Sequence, residues 1–126
     1  MSDPNDQRPP LWTGHLVLHS RDPHRAGAFY EKLGLRAVAI MDPFAVMELR
    51  GGTHLVVRLD AEAVGVPADF DLMVEDLDTT RDAWIAMGVT VSEVTKDERD
   101  IHRLFTVTDP DGNTIVVNDS HVVGAV

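Results

Sequence analysis

Cysteine is absent from the 126 residues, so the chain has no disulfide framework, no thiolate nucleophile and no Cys-based zinc site. That fits a reducing compartment, and a cytoplasmic location is expected. Basic residues are scarce: 11 Lys+Arg stand against 21 Asp+Glu, for a formal charge of −10. Nucleic-acid binders need clustered Lys and Arg, so no nucleic-acid partner is expected, whereas cationic small molecules would be attracted. No apolar run approaches the ~20 residues of a membrane span, so no membrane partner is expected either. Residues 1–10 are polar and Pro-rich, unlike a signal peptide, and are expected to form a flexible segment. A Gly-rich phosphate loop, a dinucleotide fingerprint and an HExxH pattern are all missing. Ser20, Ser92 and Ser120 lack the setting of a nucleophile elbow, and the presence of Ser, His and Asp does not by itself make a triad.

A hydrophobic fraction of 44% is enough for one domain with a real core, and 25% charged residues is ordinary. Local signals predict two helices. The first has Asp22 as N-cap and Pro23 at the first helical position, ends at Gly34, and sets Ala26, Phe29, Tyr30 and Leu33 on one apolar stripe. The second begins at Asp76 or Asp78 and ends at Gly88, with Leu77, Trp84 and Met87 on one face. Strands are expected over 13–19, 35–41, 44–50, 53–59, 69–74, 89–95, 102–108 and 114–118. Turn compositions sit at Asp42-Pro43, at Gly51-Gly52 and over 109–112, and 60–67 reads as a linker.

Asp22 precedes Gly34 by twelve residues and Asp76 precedes Gly88 by the same twelve, so a second copy is displaced by 54. The order strand, helix, three strands occurs twice. We therefore expect an α+β fold of two tandem βαβββ modules within residues 11–119, module one over 11–60 and module two over 68–119, followed by a tail over 120–126.

Period-two alternation sorts the strand faces. Leu16 and Leu18, Leu55, Val57 and Leu59, Phe70, Leu72 and Val74, and Ile115 and Val117 form apolar faces that should pack beneath the helices. The opposite faces are mixed: His15, Val17 and His19; His54, Val56 and Arg58; Asp69, Asp71 and Met73; Thr114, Val116 and Asn118. Such faces suit the solvated side of an antiparallel sheet. Apolar residues interleaved with a few polar anchors, repeated in both modules, equally suit a ligand groove with the helices outside it.

The pattern resembles the vicinal oxygen chelate superfamily, the glyoxalase, bleomycin-resistance and extradiol dioxygenase group. The residues that carry the resemblance are His15 and Asp22, Phe29-Tyr30 and Leu33-Gly34-Leu35 in module one. In module two they are Val74-Glu75-Asp76-Leu77, Gly88-Val89 and the turn over 109–113. The resemblance implies a metal bound through the first and fourth strands of each module, and a homodimer. His15 occupies the first of those positions, and Asp69 stands 54 residues later. Val116, four residues past Gly112, cannot ligate, and the remaining position falls on Val56 or Arg58. His54 and Asn118 share these faces in a shifted register.

Two of four donors do not make the usual three-ligand centre, so no cofactor is expected. The alternative is one divalent ion, Zn, Ni, Mn or Fe, on His15 and Asp69. Those two residues could also form a metal-free acid/base pair and are the catalytic candidates. The functional expectation is a protein that binds a small polar molecule at His15, Val17, His54, Val56, Arg58, Asp69, Asp71, Met73, Val116 and Asn118. Its alternative is a metal-dependent glyoxalase-type lyase or isomerase, or an extradiol-type dioxygenase. Arg58 suits a carboxylate and Asp69 with Asp71 a cation, which implies a zwitterionic ligand. His102 lies by the charged run 96–100, expected to be a solvated turn, and His24 and His121 are expected to be surface residues.

Overall fold

The computed structural model describes residues 3–99 and 101–122; the ends of the expected N-terminal segment and tail, and Asp100 of the charged run, lie outside them. The element order is β1 (His15–Ser20), α1 (Pro23–Leu33), β2 (Arg36–Ile40), β3 (Phe44–Glu48), β4 (His54–Leu59), β5 (Pro67–Val74), α2 (Leu77–Ala86), β6 (Thr90–Val91), β7 (Thr95–Lys96), β8 (Arg103–Thr108) and β9 (Thr114–Asp119). A short 3₁₀ turn, Arg50–Gly52, joins β3 to β4. Each module makes its own mixed sheet, ordered β1-β4-β3-β2 and β5-β9-β8-β6, with β7 also on β8. In both, the first strand runs parallel to the last and the remaining ladders are antiparallel.

The helices start where local chemistry dictates. The Asp22 carboxylate accepts the Arg25 N–H, and Asp76 does the same for Thr79, each satisfying a free donor of a first turn. Gly34, at φ 123°, closes α1. Leu18, Ala26, Tyr30, Met47, Leu55 and Val57 join Leu77, Trp84, Phe105, Val107, Ile115 and Val117 in one buried cluster, so the apolar strand faces lie under the helices, except at Leu59, which ends β4 and is 48% exposed.

The structure corrects two local expectations. Met87 is not part of the buried stripe of α2; it caps the helix and is 39% exposed. The strand expected over 89–95 is broken into β6 and β7, because the Ser92 hydroxyl takes a ladder place, accepting the Thr106 N–H at 2.8 Å.

The turn over 109–113 goes well beyond a hairpin connection. Asp109, Asp111 and Asn113 are buried. The Tyr30 hydroxyl donates to Asp109 at 2.8 Å, and the Ser20 hydroxyl and the Arg21 N–H donate to Asp111 at 2.5 and 2.9 Å. The Arg25 guanidinium adds a contact to Asp111 at 3.2 Å. Asn113 donates to the His19 carbonyl at 3.0 Å and to the Asp109 carboxylate at 2.9 Å. Module two is thereby keyed into β1 and α1 of module one by hydrogen bonds to carboxylates, which are stronger than neutral ones. Burial pushes the Tyr30 hydroxyl well above its usual pKa, and the adjacent Asp109 and Asp111 push the same way.

The expected linker over 60–67 is ordered against this turn: Val66 accepts the Thr114 N–H, and Gly65 crosses Gly112 backbone to backbone. No helix among the described residues is long and apolar enough to cross a membrane.

Candidate functional site

On module one, the parallel register of β1 with β4 sets His15 opposite His54, Val17 opposite Val56 and His19 opposite Arg58. The His15 and His54 rings stack with centroids 5.9 Å apart. His54 Nε2 lies 3.3 Å from Glu48 Oε2, and Glu48 also pairs with Arg36. Glu48, which sequence reasoning did not single out, thus orients His54 from the neighbouring strand. The register Glu48↔His54 across β3 and β4 was the signal available. Arg58 is exposed and has no ion-pair partner among the described residues.

On module two the ladder is irregular. Pro67 faces Thr114, Asp71 faces Val116 and Met73 faces Asn118, with a bulge between Pro67 and Asp71. Asp69 therefore stands out of register, and Asp71 takes the place opposite Val116. Asn118 is buried, and its amide nitrogen donates to Asp71 at 2.6 Å. A cavity of about 550 Å³ opens here, lined by Asp69, Asp71, Asp97, His102, Val116 and Asn118 among others.

His102 is more than a neighbour of a solvated turn. Its Nδ1 lies 3.1 Å from the Asp119 carbonyl oxygen and 3.2 Å from the Asp119 carboxylate, both acceptors, so Nδ1 carries the proton and Nε2 is left free. His121 is exposed, as expected, and its ring packs 4.9 Å from that of His102. His24, as expected, is exposed and pairs with Asp42 at 2.7 Å. A second cavity, about 400 Å³, belongs to module one and is lined by Arg36, Glu48, Arg50 and the 3₁₀ turn. Neither cavity joins Arg58 to Asp69 or Asp71.

Among the described residues no three of His, Cys, Asp or Glu converge as a group that could hold an ion. Val56 and Val116 take central places on the two faces, and neither side chain has a donor atom.

Paired βαβββ modules, each with its helix on the buried side of a mixed sheet, define the glyoxalase/bleomycin-resistance-like class of α+β proteins. The profile of the glyoxalase-like domain matches residues 15–118, and the chain belongs to that family, within the vicinal oxygen chelate superfamily. Solved structures share the fold at low identity. A member of the glyoxalase/bleomycin resistance protein/dioxygenase superfamily from Sphaerobacter thermophilus is 21% identical, with a TM-score of 0.74 over 87% of this chain and 98% of that one. The bleomycin resistance determinant encoded on transposon Tn5 is 17% identical, with a TM-score of 0.71 over 89% and 100%. Lactoylglutathione lyase from Agrobacterium tumefaciens is 19% identical, with a TM-score of 0.72 over 94% and 100%. No curated protein matches the chain in sequence.

Proposed function

We propose that this protein binds a small polar molecule on the mixed faces of its modules and does so without a complete metal centre. One observation carries the reading: both mixed faces leave polar anchors beside partly exposed Val17 and Met73, while among the described residues no three metal donors converge. Apolar walls with a few polar anchors are the composition of ligand sites. The similarity to a bleomycin resistance determinant supports a binding role. Within this reading the protein is a cytoplasmic homodimer.

A second reading, a metal-dependent lyase, isomerase or dioxygenase, draws on the stacked His15 and His54 imidazoles and on the similarity to a lactoylglutathione lyase. Elemental analysis of protein purified without chelator separates the two. We expect no stoichiometric Zn, Ni, Mn or Fe; about one ion per chain, lost in His15→Ala, would reverse the order of the readings. A fragment screen by calorimetry on the same preparation should return polar ligands, and complete silence would remove the binding reading.

A further inference from the structure

We propose that the mixed sheet faces form a self-recognition surface for a second copy of this chain. The β1 and β4 face of one protomer docks on the β5 and β9 face of the other, with Arg58 against Asp69 and Asp71. This rests on the homodimer in the reading above and adds which faces meet and in which orientation.

The two faces carry opposite signs. In a chain with 21 Asp+Glu, β1 and β4 contain none; they bear His15, His19, His54 and Arg58. β5 and β9 contain no Lys, Arg or His, and β5 bears Asp69 and Asp71. Arg58, Asp69 and Asp71 are all exposed, and none has an ion-pair partner among the described residues. The one acid of the adjoining strand β3, Glu48, is already held by Arg36 and His54.

Each face also leaves apolar surface open. Val17 is 41% and Met73 45% exposed, beside half-buried Val56 and Val116. The other side of each sheet is closed by the shared core, so these are the sides left for a partner. Apolar residues ringed by charges of matching sign are the composition of protein interfaces.

Net charge decides the occupant and the orientation. Two chains of −10 repel each other at a distance, so contact is favoured where an acid-free face of one meets acids of the other. Like faces fail, because they set Arg58 beside Arg58 or aspartate beside aspartate. One chain carries both halves, so a twofold axis satisfies them together and each contact occurs twice. A foreign partner of one sign would match only one face. Within the chain the halves stay apart, since neither cavity joins Arg58 to Asp69 or Asp71.

The test is size exclusion with light scattering at micromolar concentration on the full chain and two variants. We expect a wild-type dimer. Arg58→Glu, and separately Asp69→Arg/Asp71→Asn, should each raise the dissociation constant roughly a hundredfold or more, because each acts at both symmetric contacts. An equal mixture of the two variants should recover a dimer of near wild-type affinity. In that mixture the acid introduced at position 58 faces the arginine introduced at position 69, and the second contact keeps its native residues. Diffuse repulsion between acidic chains requires the opposite for Asp69→Arg/Asp71→Asn, which is less negative and would associate more tightly; that result overturns the surface. So do a wild-type monomer, a variant that dimerises as well as the wild type, or a mixture of folded variants that stays monomeric. Circular dichroism confirms folding. If the double variant fails to fold because Asp71 holds Asn118, Asp69→Arg alone replaces it, since Asp69 makes no hydrogen bond with a described residue. The fragment titration above still decides the small-molecule reading, whichever way the assembly falls.

Discussion

Tyr30 shows how one side chain ties the two modules. It is fully buried, and its hydroxyl is one of four donors on the Asp109 carboxylate, with the Asp111 N–H, the Asn113 N–H and the Asn113 amide. Tyr30→Phe should lower stability by about 1–3 kcal/mol, read as a fall in urea midpoint at neutral pH. The same group sets an alkaline limit. Its pKa is raised on folding, so above pH about 10 the unfolded chain releases the tyrosine proton while the folded chain retains it. Stability should then fall by about 1.4 kcal/mol per pH unit, a slope that Tyr30→Phe loses because the chain has a single tyrosine. An unchanged slope in that variant would assign the alkaline loss elsewhere. None of this was legible in the sequence. The composition over 109–113 announces a turn, but its burial is decided by partners 79 and 91 residues away. The candidate site was legible to the same partial degree. Alternation placed His15, His54, Asp71 and Val116 on the mixed faces, whereas Asp97, in the charged run, and His102, expected to open a strand but lying just before β8, reach the module-two cavity without any such signal.

Among the elements, α1 was legible nearly to the residue because a cap, a proline and a closing glycine are local signals. The break between β6 and β7 was not, since the Ser92 hydroxyl competes for a partner on β8 that no window around Ser92 contains. The segment over 60–67 links β4 to β5 as its composition suggests, but nothing in the sequence signals that one point of it is held tightly against the 109–113 turn. A Cβ on Gly65 would lie 2.2 Å from the Gly112 carbonyl oxygen, a backbone atom that cannot rotate away. Gly65→Ala should therefore destabilise by about 1–3 kcal/mol in thermal denaturation. Gly14→Ala, where a Cβ meets nothing within 4 Å, should be close to neutral. Equal melting temperatures for the two variants would show that the loop yields without loss.

For the whole molecule, the duplication noticed as a 54-residue displacement became two sheets of like topology. β1 and β5 lie at the edges of their sheets, and each therefore has one side without a strand neighbour. Open edges are normally covered or paired, and twofold symmetry is the commonest way for two copies to do so. Light scattering at micromolar concentration should give twice the 13.9 kDa chain mass, and a monomer would count against the homodimer. The modules are alike in topology but unequal in dependence. Synthesis proceeds from the amino end, so Ser20, Arg25 and Tyr30 leave the ribosome long before Asp109 and Asp111, which complete their hydrogen bonding. The first half of the chain must wait with its polar groups in water until the last hairpin emerges, and only then does the molecule lock.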